Sequence, residues 1–386
     1  MTKRKARVNK GEISRRKIKK IKANKKKKFT KEQNNINIVE FVRFEEGPII
    51  LPNPENYWEN WQTFNPGVIY LENKVHFIYR AIGEDGVSRF GYAASDDGFL
   101  VNERLPYPVF EHLNRSSTSL NLKGCFGGPV FNFYSFNSGG SFSGAEDPRL
   151  TRIGKEDNLY MTYTACDSWL GVALTSININ DFLNKKWNWK KPKLISAPGE
   201  VHKNWVIFPE KINGKYAILH SICPEISIAY RESLDFEENE YIQSFYNGYN
   251  GRGANCWDNW IRGAGAPPLK TYLGWLLFYH AMDKSDPGKY KVGAMILDEN
   301  NPTKILYRAQ EPILEPQAEY ENNGFKAGVV YTTGAIIKDG KILIYYGASD
   351  SYICVASADL ISFLETLKKE ARPRLRVLPL LKKKKT

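Results

Sequence analysis

The stretch FSGAEDPRL, Phe142 to Leu150, sets two carboxyl groups, Glu146 and Asp147, side by side after a Gly/Ser loop and follows them with Pro148 and Arg149. Adjacent carboxyls beside a cation could serve acid–base chemistry on a bound substrate. The same letters also describe a turn, because Asp-Pro pairs are common turn residues. Other residues able to do chemistry stand singly along the chain: Arg80, Lys203, His220, Arg262, His280 and Asp350, with Tyr279 and Tyr331. The five histidines show no HxxxH spacing, so no metal site and no cofactor are expected. The five cysteines, Cys125, Cys166, Cys223, Cys256 and Cys354, are widely spaced and contain no CxxC, which argues against a disulfide framework or a zinc site.

Scattered residues can act together only if the fold gathers them, and an internal repeat says how. Five times a β-rich run, usually with a hairpin turn such as LENK, NGK or KDGK, ends in a small or polar pair and is followed by a second run ending in a polar turn. The copies begin near Val68, Asp147, Ile207, Gly263 and Thr333, a spacing of roughly 56 to 79 residues, which leaves room for a four-stranded sheet plus loops. A β-sandwich also spaces strands regularly. Radial repetition, however, packs such sheets together and protects their edges, so the expected fold is all-β, a five-bladed β-propeller. Superposing the copies puts Arg80, Thr164, His220, His280 and Gly347 at one level. It puts Asp147, Arg149, the run His202 to Asn204, Arg262 and Asp350 on one face. A pocket of carboxylates, cations and aromatics such as Tyr279, Tyr331 and Trp205 suits a polyol together with an anion: a sugar and a phosphate.

Charge divides the chain differently. The net charge of +13 suggests a nucleic-acid binder until it is split: Met1 to Gln33 holds sixteen Lys or Arg against Glu12 and Glu32, and Lys368 to Thr386 holds nine against Glu370. The middle keeps 30 basic and 39 acidic side chains. Like-charge blocks such as KANKKKKF repel themselves and bury little, so residues 1–36 and 368–386 read as disordered basic tails flanking a catalytic propeller at 37–367. Contact of the tails with a polyanion is the second reading of the same blocks. No run approaches the roughly 18 apolar residues of a membrane span and no signal peptide is evident, so a cytoplasmic protein is expected.

The segments GAEDPRL, FPEKINGKYAILH, GAGAPPLKTYLGWLLFYH and YYGASDSYICVAS, in that order between Val68 and about Leu360, resemble the hallmarks of glycoside hydrolase family 130, the β-mannoside phosphorylases and related β-mannosidases. The resemblance implies a five-bladed propeller that cleaves β-mannosidic bonds in a mannose-containing oligosaccharide with inversion. By it, Asp147 matches the general acid of the EDPR motif, which protonates the leaving oxygen through a hydroxyl of the bound mannose, and Glu146 a supporting residue. His220, Tyr279, Tyr331 and Asp350 match sugar-side positions, and Arg149, Lys203 and His280 the anion side; repeat equivalence adds Arg80 to the sugar side and Arg262 to the anion side.

Two attackers remain open. Phosphate is already a nucleophile and needs only cations to hold it in line. Water needs a second carboxylate as base, roughly 6.5 to 9.5 Å from the acid. The leading reading is phosphorolysis to mannose 1-phosphate, with inorganic phosphate as co-substrate. The sequence departs from the phosphorylase pattern at His220-Ser221, where His-Arg is usual, and at His202 to Asn204, where HKN replaces NKD. Glu225, where phosphorylases carry a neutral or shorter residue, could be the base of an inverting β-mannosidase. A non-catalytic glycan-binding propeller is the third reading. Linkage, acceptor and oligomeric state stay open; the insertion from Val101 to Ser143 is expected to shape the acceptor side.

Overall fold

The computed structural model describes residues 41–112, 138–166, 169–245 and 256–370. The expected tails before residue 41 and after 370, and most of the expected acceptor-side insertion, lie outside these residues.

The strands form antiparallel groups in chain order. β1 (Val42–Arg43) stands first. It is followed by β2 (Gln62–Leu71), β3 (Lys74–Ile82), β4 (Val87–Ser95) and β5 (Glu103–Arg104) as group one. Group two is β6 (Ser143–Arg152), β7 (Asn158–Cys166), β8 (Leu170–Asn178) and β9 (Lys193–Leu194). Group three is β10 (Val206–Ile207), β11 (Tyr216–Ser221) and β12 (Ser227–Arg231). Group four runs from β13 (Trp260–Ala264) and β14 (Leu269–Thr271) through β15 (Gly274–Asp283) and β16 (Asp286–Leu297) to β17 (Ile305–Arg308). Group five is β18 (Val330–Lys338), β19 (Lys341–Ala348) and β20 (Tyr352–Asp359), and β1 completes it by pairing with β20. A short parallel ladder, Val87 with Ser143 and Ser88 with Gly144, joins groups one and two into one sheet. Among the described residues helices are few; the last of them, Leu360–Glu370, crosses the expected body–tail boundary at 367.

Alternation along each strand turns one set of side chains toward the next group. Ile78 and Phe90 of group one pack with Leu150, Met161 and Tyr163 of group two. Val172 and Leu174 meet Ile207 and Ile218 of group three, whose Phe208 and Leu219 meet Trp275 and Leu277 of group four. Val75 and Phe77 meet Leu343 and Tyr345 of group five. Groups four and five touch through the Tyr290–Val329 bridge.

The first strand of four groups carries a bulge, between Phe64 and Gly67, Glu146 and Arg149, Ile261 and Gly263, and Thr332 and Gly334. Asn204, just before β10, has a left-handed backbone instead. Bulges re-aim side chains where a ladder ends. Just before these bulges Phe64 faces Arg80, Glu146 faces Thr164, and Tyr331 faces Gly347, while Gly263 faces His280 just after its own. The expected common level of Arg80, Thr164, His280 and Gly347 is therefore the level of the bulges.

A buried acid, a Tyr and an outer-strand Arg recur in three groups. Tyr79 donates to Glu59 at 2.7 Å, and Arg104 of β5 bonds Glu59 at 2.7 Å. Tyr279 donates to Asp258 at 2.6 Å, and Arg308 of β17 bonds Asp258 at 2.5 Å. Tyr346 donates to Glu321 at 2.9 Å, and Arg43 of β1 bonds Glu321 at 2.8 Å. Each triad ties an outer strand to the long strand that carries its Tyr, β3, β15 or β19.

Candidate active site

All five groups contribute to one cavity. Its wall holds Asn65 and Arg80 from group one, Asp147 from group two, Lys203, Asn204 and His220 from group three, Arg262 from group four, and Tyr331 and Asp350 from group five. Lys326 and Tyr290 also line it.

Asp147 sits at the β6 bulge with φ 53, a left-handed conformation that Asp tolerates better than most residues, and is 2% exposed. Its Oδ1 accepts from Asn65 Nδ2 at 2.8 Å and Arg80 Nη1 at 3.0 Å. Its backbone carbonyl accepts from Arg149 Nη1 at 2.8 Å. Burial pushes the carboxyl up, but the charges of Arg80, Lys203 and Arg149 and the Asn65 amide outweigh it and hold Asp147 well below the ordinary carboxylate range.

Beneath Asp147, Glu146 is fully buried and accepts from Arg80 Nη2 at 2.9 Å, Ser141 at 2.8 Å and Lys203 at 3.2 Å, with Ser138 also donating to it. It neutralises the two cations that its neighbour needs. Arg80 is spent within this frame, its other donors reaching Ser88 at 3.0 Å and the Ser138 carbonyl at 2.7 Å.

Asn204 is the opposite hub. Its Oδ1 accepts from Arg149 Nη2 at 2.8 Å and from the Tyr331 hydroxyl at 2.5 Å, while its Nδ2 donates to the Arg262 carbonyl at 3.1 Å. Arg262 in turn reaches the Tyr290 hydroxyl at 2.9 Å and lies over Trp260. His220 bonds Ser244 at 2.8 Å and packs against Trp205. Burial, helped by His202, lowers its pKa to about 4, so it is a neutral hydrogen-bonding group at neutral pH. The carboxylate of Asp350 carries no hydrogen bond among the described residues, and burial pushes its pKa up despite Lys326 and Arg80.

Ten expected residues thus meet at the cavity: Asp147, Arg80, His202, Lys203, Asn204, Trp205, His220, Arg262, Tyr331 and Asp350. The others are placed elsewhere. Arg149, expected on the anion, is 1% exposed and spends its guanidinium on Asp147, Asn204 and the Gly265 carbonyl, so it is a clamp behind the wall. His280 is fully buried, bonds the Thr332 carbonyl at 2.8 Å and stacks on Tyr331 with ring centroids 3.8 Å apart. Burial and then Arg149 lower its pKa to about 3, so it supplies no positive charge to an anion. Tyr279, expected on the sugar, belongs to the structural triad with Asp258 and Arg308, its ring flat against Trp257. Glu225, the base of the alternative hydrolase reading, is exposed and off the cavity wall.

Asn65 and Lys326 were not anticipated. Asn65-Pro66 occupies in group one the place of Asp147-Pro148 in group two, a signal legible in the repeat once its first copy is extended back from Val68. Lys326 lies in a connection without a repeat pattern. Cys125 falls outside the described residues.

A family model described as beta-1,4-mannooligosaccharide phosphorylase matches residues 133–369. The chain is 33% identical over 337 residues to a 1,2-beta-oligomannan phosphorylase of Thermoanaerobacter sp. (strain X514), covering 84% of this chain and 98% of the relative. It is 31% identical to a beta-1,2-mannobiose phosphorylase of the same organism, covering 82% and 96%. Among solved structures, the beta-1,2-mannobiose phosphorylase of Listeria innocua in complex with beta-1,2-mannobiose aligns with a TM-score of 0.62 at 26% identity, covering 86% of this chain and 99% of that one.

Proposed function

The chain belongs to glycoside hydrolase family 130, and from that premise we propose that it cleaves β-mannosidic bonds by inverting phosphorolysis, with β-1,2-linked mannooligosaccharides as substrates. The observation that carries the reading is the meeting of Asp147 with Lys203, Arg262 and Lys326 on one cavity wall. A phosphate oxygen attacks the anomeric carbon from the face opposite the leaving group. The C–O bond to the acceptor sugar breaks, and the leaving oxygen receives the proton of Asp147 through a mannose hydroxyl. Inversion of a β bond gives α-mannose 1-phosphate and a shortened oligomannoside.

The electrostatics couple the two partners. Without an anion, the cations hold Asp147 ionised, which is the wrong state for an acid. Phosphate placed among them cancels part of that field, and a nearby negative charge raises a carboxyl pKa. Binding of the nucleophile therefore favours the protonated acid. Asp350 and Tyr331 are read as partners for sugar hydroxyls.

The same reading makes the five groups the blades of a propeller and the cavity one mouth of its axis. It is supported by the packing of consecutive groups, of the fifth on the first, and by the contribution of all five to one wall. Hydrolysis would need a second carboxylate, and among the described residues the wall offers only Asp350 besides Asp147.

Incubation with β-1,2-mannobiose with and without inorganic phosphate tests the proposal. Mannose 1-phosphate is expected only with phosphate. Free mannose accumulating at an equal rate in phosphate-free buffer would make the protein a hydrolase.

A further inference from the structure

The two carboxylate oxygens of Asp147 have different surroundings. Oδ1 accepts from Asn65 Nδ2 at 2.8 Å and Arg80 Nη1 at 3.0 Å, while Oδ2 has no hydrogen-bond partner among the described residues. We propose that Asn65 is a positioning residue which, together with Arg80, fills Oδ1 and so confines the transferable proton of Asp147 to Oδ2. The inference rests on the reading of Asp147 as the acid.

The local backbone is built for this contact. Asn65 at φ 47 and Asp147 at φ 53 are both left-handed, both precede proline, and both stand at the bulge of the first strand in neighbouring groups. The pseudo-equivalent positions face each other, an amide from one group and a carboxyl from the next. Asn65 Oδ1 has no hydrogen-bond partner though it is buried. It lies against Gly347, where a Cβ would stand only 2.1 Å from it. A buried carbonyl without a donor is unfavourable and calls for an explanation. Turning the amide over would bring that oxygen onto the carboxylate, acceptor against acceptor, so the Asp147 contact fixes the amide's orientation.

The charged and titratable groups facing Asp147 are Arg80, Arg149, Lys203, His280, Tyr331 and Asp350. Glu146 faces away, toward Arg80 and Lys203. Of these groups only Arg80 also bonds Oδ1. An N–H donated to the ionised form favours ionisation, so removing it raises the carboxyl pKa. A proton no longer excluded from Oδ1 is also misplaced for part of the time.

The experiment uses Asn65→Gly, which keeps access to the left-handed backbone, and Asn65→Asp, which keeps the shape but sets two carboxylates in contact. Carbon-13 NMR of the Asp147 carboxyl, assigned with Asp147→Asn, follows its titration in the full-length protein. The kcat–pH profile for mannose 1-phosphate release is the second readout. Both variants are expected to titrate at higher pH than the wild type, with the basic limb of kcat moved the same way, and Asn65→Gly should lose about tenfold in kcat as the proton loses its fixed place. A purely structural role would lower the melting temperature and move neither readout. Titrations of both variants that coincide with the wild type overturn the inference. A wild-type protein that releases no mannose 1-phosphate counts against the phosphorylase reading instead, and the NMR titration still judges Asn65.

Discussion

At the residue scale, buried groups of one type serve opposite ends. Asp147 is held ionised by three cations, whereas Asp350, a few side chains away on the same wall, is pushed toward its neutral form by burial. Two carboxyls with diverging environments can take different tasks, one proton transfer and the other hydrogen bonding to a polyol. His280 gives a stability prediction. Its folded pKa is lowered to about 3, while an unfolded imidazole titrates near 6.5. Because the unfolded chain takes the proton first, the stability of the neutral packed ring is fully present above about pH 6.5 and is lost progressively as pH falls toward the folded value. His280→Phe keeps a ring against Tyr331 without the titration. It should unfold at a lower temperature at pH 7 but show a shallower decline in melting temperature between pH 6.5 and 4, followed by calorimetry. A decline as steep as that of the wild type would assign the pH dependence to other groups.

At the element scale, the bulged first strands and the acid–Tyr–Arg triads divide the work. Bulges turn Asn65 and Asp147 onto the cavity wall, while the triads hold outer strands to β3, β15 and β19 behind it. Tyr279 shows why sequence alone misassigned neighbours: Tyr279 and His280 are adjacent, so β alternation sends them to opposite faces. One face meets Asp258 and Arg308, the other Tyr331. Tyr279→Phe should therefore cost about 1.5–3 kcal/mol of stability, the range for a hydrogen bond to a charged group. It should leave KM for the mannoside unchanged. Urea unfolding together with steady-state kinetics separates this from a sugar-binding role, in which KM would rise.

At the scale of the whole molecule, the first and last strands of the described residues pair. β1 pairs with β20, Phe41 packs edge-on against Phe278 and Phe363, and Arg43 neutralises Glu321, which is fully buried. A chain starting at Glu45 should lose stability by about 3–5 kcal/mol, because a buried carboxylate is left without its partner. Thermal melts of this shortened chain and of the full-length protein compare directly. What the sequence determined was the all-β class, the five-fold repeat and the acidic motif, because strand alternation, hairpin turns and local motif spacing are properties of short stretches. It also pointed to most of the charged residues of the cavity wall through repeat equivalence. The tertiary structure decided the rest. It put Arg149 and His280 behind the wall, left Glu225 in solvent, and brought Asn65 and Lys326 to the site. Burial, pairing and charge at those positions arise from segments up to hundreds of residues apart, and no local pattern encodes which of them will meet.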